Sequence, residues 1–331
     1  MSHSHAHSSS SSSSLQPATL KEFNNNVHVL ERGHIFFFYR PKVMKEHVQE
    51  MNEVQKLLIV LKPHRIVSGG GHAQRLEEEP TRVLIVPKKT LPDMGEKRLA
   101  IVSQVDSDVD EIVKKSLSEE HYETFTRGER ELGACRLLGE GLYELLEHRE
   151  NHTHLSYVLE FPKTWEPNSV QAEFGIQRED TLILSAKNPQ TYMASSGSSA
   201  TEGPSVSSRS GGVSSSAFSK KGHKEIPQSV IDLFHGKTFT KINPPSLLSH
   251  EGLQLLLIGA VEYDERGVAI VEEDLKREHE KLEWEARVEE SHLNPSNPPM
   301  SLLEKELHVK PSESEQNENV NMDVMETGEF Q

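Results

Sequence analysis

The feature that most restricts the fold of this chain is a series of eight short apolar runs. They are rich in Val, Ile, Leu and Phe, are bounded by Gly, Pro or Asp, and lie at residues 29–39, 57–62, 82–88, 98–105, 142–147, 155–161, 181–187 and 254–260. Runs of this length and composition indicate β-strands. Three short helices are predicted between them, over 109–117, 170–174 and 226–234. The pattern predicts an α+β fold: a single β-rich domain with a strongly curved sheet or a partly closed barrel.

This domain is predicted over residues 27–264 and carries a disordered insert at 191–222. The insert contains 12 serines and few large apolar residues, so it cannot bury enough surface to offset the entropy cost of ordering it. Only one helix and about two strands follow it, which is too little for a second core. The run at 254–260 is therefore expected to return and pair with earlier strands, because the entropy of loop closure grows only logarithmically with length.

The two ends of the chain differ from this body. Residues 1–26 form a His/Ser-rich tract that predicts a disordered tail. Residues 265–292 predict a charged helix with Glu and Lys or Arg at ion-pair spacing, and residues 293–331 predict a disordered acidic tail. The formal charge of the chain is −16, and residues 264–331 hold 19 acidic and 7 basic side chains. The body is therefore close to neutral.

Composition excludes several classes of function. A nearly neutral body with an acidic extension is a poor match for DNA, which requires clustered Lys and Arg. The one cysteine, Cys135, excludes an internal disulfide and a Cys-rich zinc site, and it favours a reducing compartment, the cytoplasm or the nucleus. No apolar run approaches the roughly 20 residues of a membrane span. The sequence predicts a soluble, intracellular protein that does not bind a membrane.

The stretch "ERGHIFFFYRPKV" at residues 31–43 has two interpretations. Aromatics beside basic residues are typical of a platform that stacks on nucleic-acid bases. Alternation instead places Ile35, Phe37 and Tyr39 on one face of a strand and Phe36 and Phe38 on the other. Because both faces are apolar, the pattern favours a central strand covered on each side. Full burial of Phe36 and Phe38 would exclude the stacking platform.

A second stretch, "NHTHLSYVLEFP" at residues 151–162, contains the candidate ligand or metal residues. His152 and His154 are two apart, so their imidazoles project to the same side of a strand, where they could share a metal. The alternative is a pair of polar strand histidines near the mouth of a barrel, and the sequence favours this alternative. With Tyr157, these residues define the candidate site of a ligand binder or enzyme that uses the barrel interior. No catalytic residue, committed metal site or cofactor is predicted.

A basic rim is the other candidate site. It would bind an anion or an acidic segment of a partner and is composed of Arg40, Lys42, Lys88, Lys89, Arg127 and Arg130. The alternative is solubilising charge scattered over the surface.

Five segments together resemble a family of uncharacterised, mainly fungal proteins. They are "ERGHIFFFYRPKV", "YETFTRGER", "HTHLSYVLEFP", "LILSAKNPQ" and "LLLIGAVEYD", and the resemblance covers residues 27–264. Some members of this family are loosely labelled BTB-domain transcription factors. The resemblance implies a nuclear or regulatory setting, but it supplies no catalytic or ligand residue.

These observations favour a non-enzymatic interaction or regulatory protein that binds a protein or peptide. The first alternative is a nucleic-acid-associated transcriptional regulator, which would need the basic rim to form one face. The second is an enzyme or small-ligand binder that uses the barrel interior, which would need a concave pocket with converging polar groups.

Overall fold

Eight strands of the chain close into one antiparallel barrel. The computed structural model describes residues 27–64, 79–126, 128–148, 152–163, 166–191 and 226–260, with shorter pieces at 262–263, 269–270, 280–282, 284, 302–309 and 323–330. Its strands are β1 (Val27–Pro41), β2 (Val54–Pro63), β3 (Thr81–Val86), β4 (Lys97–Asp106), β5 (Glu120–Thr124), β6 (Gly128–Leu132), β7 (Arg136–His148), β8 (His152–Phe161), β9 (Glu179–Lys187), β10 (Phe239–Lys241), β11 (Gln254–Gly259), β12 (Glu262–Tyr263) and β13 (Ala269–Ile270).

The order of the strands explains how the sheet closes. Around the barrel they run β1-β2-β3-β4-β11-β9-β8-β7, and β7 pairs with β1 again. β10 extends the sheet beside β9, while β5 and β6 form a separate hairpin and β12 pairs only with β13. The β-rich fold with few short helices agrees with the prediction. The sheet is nevertheless a fully closed barrel, which removes the free edges that a partly closed one would have.

β1 is covered on both faces, as its alternation predicts. Ile35, Phe37 and Tyr39 point into the core that fills the barrel. Phe36 and Phe38 belong to a second cluster on the outer face, where both rings are 0% exposed. Rings buried to this extent cannot stack on a nucleic-acid base, so the prediction of a central strand is confirmed.

The return of the chain after the insert is also confirmed. β11 lies between β4 and β9 and pairs with both, with Leu256 opposite Leu99 on one side and Ser185 on the other. Two further pieces that precede it, the helix α3 (Gln228–Asp232) and the 3₁₀ turn Pro245–Ser249, add Val230 and Leu247 to the same core. Residues 192–225, which contain nearly all of the predicted insert, lie outside the described residues.

The helix ends follow the polar residues of the sequence. In α1 (Val109–Ile112) the side chain of Asp108 accepts a hydrogen bond from the backbone N–H of Asp110. In α2 (Val170–Glu173) Ser169 caps the N–H of Ala172, and Gly175 with φ +69° ends the turn, a backbone conformation that favours glycine. The predicted helix over 109–117 continues from α1 as a π-helical turn, Val113–Leu117.

The C-terminal segments differ from their prediction as a disordered acidic tail. Within 293–331 the structure describes α4 (Leu302–Leu307) and α5 (Asp323–Thr327). Leu303 of α4 joins the outer cluster over Phe36 and Phe38, whereas Val324 of α5 joins the barrel core. This region is rich in charge, but it also contains the apolar residues Leu302, Leu303, Leu307 and Val324. They bury enough surface on the barrel to hold short helices that have no stability alone.

The other predictions for the ends of the chain fall mostly on residues that are not described. Residues 1–26 lie outside the described part, as does most of the predicted charged helix over 265–292. Residues 280–282 and 284 are helical, and Leu282 packs against Leu142 and Val158. Among the described residues, none of the helices has the length and apolar character needed to cross a membrane.

Candidate functional site

The barrel interior is filled by side chains of its own strands. Phe37, Tyr157, Leu182 and Leu255, all nearly or fully buried, belong to one continuous apolar cluster. The rings of Phe37 and Tyr157 are 4.9 Å apart. The described part of the interior is therefore filled by apolar side chains, whereas the ligand-binder alternative needs a concave pocket with converging polar groups.

The core also holds one buried charged group of residues. Arg82, 0% exposed, donates a hydrogen bond to the Glu31 carboxylate at 2.5 Å. The Tyr143 hydroxyl donates to the same carboxylate oxygen at 2.7 Å. Burial raises the pKa of Tyr143 well above its ordinary value, and the Glu31 charge adds to this shift. Because the charges of Arg82 and Glu31 are paired directly with each other, we assign this group a structural role.

The structure does not bring the three predicted ligand residues together. Tyr157 points into the barrel and its hydroxyl accepts the backbone N–H of Gln177 at 3.3 Å. His152 and His154 lie on the opposite, outer face of β8, since strand residues an odd number apart face opposite sides. The three residues therefore do not face one common site in the barrel interior, and their role as ligand residues stays a prediction.

His154 is nevertheless chemically unusual. It is 5% exposed, and neither ring nitrogen has a hydrogen-bond partner among the described residues. Its ring centroid lies 5.6 Å from that of His148. Burial lowers the pKa of His154 to about 4, and repulsion from His148 and His152 contributes, so the ring is neutral at pH 7.

The predicted basic rim is divided among different roles. Arg40 is 3% exposed and donates its hydrogen bonds to the backbone carbonyls of Ser116, Ser118 and Gly133. Burial is the main cause that lowers the pKa of Lys89, and the nearby positive charge of Lys42 lowers it further. Arg130 lies on the β5–β6 hairpin between two glutamates. Lys88 is exposed in the turn after β3, and Arg127 lies outside the described residues.

The β5–β6 hairpin stands apart from the barrel sheet. Its strands pair only with each other, with Tyr122 opposite Arg130 and Glu123 opposite Glu129. Phe125 in its turn is fully exposed, and Tyr122 is 37% exposed. Met44 from the loop after β1 is 57% exposed and donates its backbone N–H to Glu131 at 2.9 Å. Met44 and Tyr122 line one groove along the hairpin, and Phe125 is exposed in its turn. We call these three exposed apolar side chains the hairpin patch.

A groove of about 520 Å³ runs along the hairpin and is strongly acidic. It is lined by Met44, His121, Tyr122, Glu123, Glu129, Arg130 and Glu131. Glu123 and Glu129 are directly opposite across the strands, a like-charge pair that destabilises a hairpin. His121, Glu119 and Glu131 each bring one potential metal-ligand atom within 4.8 Å of the others, but exposed acidic groups of this kind are common without an ion.

A second cleft, of about 470 Å³, lies on the outer face of the barrel at the base of this hairpin. Its lining is mostly polar and consists of Arg40, Lys56, Ser103, Gln104, Val105, Asp106, Lys115, Ser116, Glu120, Leu132 and Glu251. Arg40 and Lys56 are direct cross-strand partners on β1 and β2. Burial is the main cause that lowers the pKa of Lys56, and Arg40 contributes.

Two backbone irregularities shape this cleft. The register between β3 and β4 slips at Val83/Leu84, where Ser103 is the additional residue of a β-bulge. The π-helical turn presents the carbonyl of Ser116 to Arg40 at 2.6 Å, and Gln104 donates to the Glu111 carbonyl at 3.0 Å. Bulges and π-turns both redirect side chains and recur at functional sites.

Sequence reasoning missed both Lys56 and the hairpin. Lys56 adjoins the apolar run 57–62. Because a Lys on a covered strand face is unusual, this position could have been identified from the sequence as a candidate site residue. Phe125 lies between two charged segments and is not among the candidate site residues predicted from the sequence. The resemblance to a family stays a prediction. Comparison of the chain with family models, with curated proteins and with solved structures found no match.

Proposed function

We propose that this chain is a non-enzymatic interaction protein that binds a basic, partly apolar segment of another protein on the β5–β6 hairpin. The observation that carries the proposal is the hairpin patch: Met44 and Tyr122 line the acidic groove, and Phe125 is fully exposed in the turn of the same hairpin. Aromatic and Met side chains are enriched in interface cores, because they supply large contact areas.

The charge of the hairpin specifies the chemistry of the partner. Glu123, Glu129 and Glu131 line the groove, and Arg130 is the one Lys or Arg among its described lining residues. The cross-strand pair of Glu123 and Glu129 lowers the stability of the hairpin on its own. A Lys or Arg side chain placed between these carboxylates would relieve the repulsion, so charge complementarity favours a basic partner.

A defined peptide selection tests this function. A random peptide library displayed on phage is selected on the full chain, and enriched peptides are expected to combine Lys or Arg with apolar residues. Their affinity is then measured by fluorescence anisotropy. The double variant Tyr122→Ser, Phe125→Ser is expected to lose about tenfold or more in affinity. Phe239→Ser, which alters a similarly exposed ring on β10, is the control and should bind like the wild type.

A charge variant separates recognition from folding. Glu129→Lys creates an opposite-charge pair with Glu123 and so stabilises the hairpin, yet it should weaken binding of the basic peptides about tenfold. Asp93→Lys carries the same change of charge on another exposed site and should have little effect. Enriched peptides that bind both hairpin variants as tightly as the wild type would refute the proposed function.

A further inference from the structure

The acidic residues in the cleft at the base of the hairpin already have partners. The Asp106 carboxylate lies 4.0 Å from Lys115 Nζ, which also contacts Glu111 at 2.6 Å. Glu251 accepts the backbone N–H of Val105 at 3.1 Å. Lys115 is therefore paired with the carboxylates of Asp106 and Glu111.

Two other cations that line the cleft have no such partner. Arg40 donates to the carbonyl oxygens of Ser116, Ser118 and Gly133 at 2.6–3.2 Å, and it forms no ion pair with any described residue. Lys56 Nζ makes neither a hydrogen bond nor an ion pair with the described chain. The Glu120 carboxylate attracts Lys56 only from beyond ion-pair distance.

This arrangement is costly for the protein alone. Buried or half-buried charges in folded proteins are normally paired, and two like charges on adjacent strands repel each other. One further donor is free, since the Ser103 hydroxyl on the β-bulge makes no hydrogen bond with a described residue. The cleft therefore offers two positive charges and an unused hydroxyl, and although Asp106, Glu120 and Glu251 also line it, none of them forms an ion pair with Arg40 or Lys56 among the described residues.

We propose that this cleft is an anion-binding site that takes a phosphate or carboxylate group of a small molecule, with Lys56 Nζ as its direct charged ligand. Arg40 supplies a fixed second charge, because its guanidinium is locked onto three carbonyls. Ser103 donates a hydrogen bond to the bound oxygen. The volume of about 470 Å³ is within the roughly 300–1,000 Å³ of small-molecule sites. The site is separate from the hairpin groove and does not depend on the peptide-binding function.

Calorimetric titration of the full chain tests the site. The two probes are inorganic phosphate and acetate, added in a low-salt buffer without other oxyanions, and they distinguish phosphate from carboxylate recognition. We expect saturable binding of at least one probe to the wild type and a loss of about tenfold or more in Lys56→Met. Lys56→Arg, which keeps the charge, should retain most of the affinity.

Two further variants distinguish anion binding in the cleft from a general effect of surface charge. Lys114→Met removes an exposed cation of the same π-turn outside the cleft, and its affinity should stay within about twofold of wild type. Glu120→Gln removes the carboxylate that attracts Lys56, and it should strengthen binding of the anion. Equal losses in Lys56→Met and Lys114→Met would overturn the proposal.

A second measurement covers the case in which a variant folds poorly. In the wild type, modification of Lys56 by an amine-selective reagent is followed by mass spectrometry with and without the bound probe. Protection of Lys56 but not of Lys114 is expected. The proposal would also be overturned if neither probe bound, or if the rate of Lys56 modification were unchanged at a saturating concentration of a bound probe.

Discussion

The carboxylate of Glu140 in β7 accepts the backbone N–H of Leu302 at 2.9 Å, across 162 positions of sequence. The other oxygen of the same carboxylate accepts the N–H of Leu303, also at 2.9 Å. These are N–H groups at the start of α4, which have no partner within their own helix. A fully buried glutamate of the barrel therefore fixes a segment near the C-terminus over Phe36 and Phe38.

The first prediction concerns the pH dependence of this contact. Burial raises the pKa of Glu140 from 4.5 to about 7, although the two backbone hydrogen bonds lower it. Between these pH values the folded state therefore holds a proton that the unfolded chain releases. As pH rises through this range, the free energy of unfolding falls, and Glu140 accounts for about 3 kcal/mol of the decrease.

Glu140→Gln removes this titration. Because the amide nitrogen of Gln cannot accept the N–H of Leu303, the variant should be the less stable protein at the acidic end of that window. As pH rises above about 7.5, the difference should shift in favour of the variant by about 3 kcal/mol. Urea unfolding followed by circular dichroism across the range measures the difference. A constant offset between the two proteins at all pH values would contradict the raised pKa.

The second prediction concerns the packing of α4. Leu303 is 0% exposed in the outer cluster, so Leu303→Ala should lower the free energy of unfolding by about 2–5 kcal/mol. Lys305 is exposed on the same helix, and Lys305→Ala should change it by less than about 0.5 kcal/mol. Chemical denaturation measures both. Equal stability of the two variants would mean that α4 does not cover the barrel in solution.

The third prediction concerns the buried pair of Arg82 and Glu31. Removing one partner leaves the other charge buried, so Arg82→Met or Glu31→Gln alone should cost about 3–5 kcal/mol. The double variant should cost clearly less than the sum of the two. A double-mutant cycle at neutral pH measures this coupling, and additive losses would show that the two side chains act independently.

The fourth prediction concerns the bulge at Gly141. A Cβ atom at this position would lie 2.0 Å from the Val158 carbonyl oxygen, and the register between β7 and β8 shifts at this point. Gly141→Ala should therefore destabilise the fold by about 1–3 kcal/mol. Gly133, where the nearest atom is at 3.8 Å, is the matched control. A lower melting temperature for Gly133→Ala than for Gly141→Ala would contradict the close approach.

Several local features followed from the sequence because short-range chemistry decides them. The alternation of Ile35, Phe37 and Tyr39 with Phe36 and Phe38 fixed which rings share a face, since successive strand residues point to opposite sides. The same rule separates His154 from Tyr157, which lie three positions apart. Ser169 and Gly175 marked the ends of α2 through capping.

Closure of the barrel and both candidate sites were decided only by the tertiary structure. Pairing of β7 with β1, and insertion of β11 between β4 and β9, depend on contacts between residues far apart in sequence, which local propensity does not encode. The same applies to Arg40 and Lys56, whose unpaired charges meet only when β1 and β2 pair. The amino-acid pattern determined the strands and their faces, whereas long-range packing determined which charges and which C-terminal helices meet on the barrel surface.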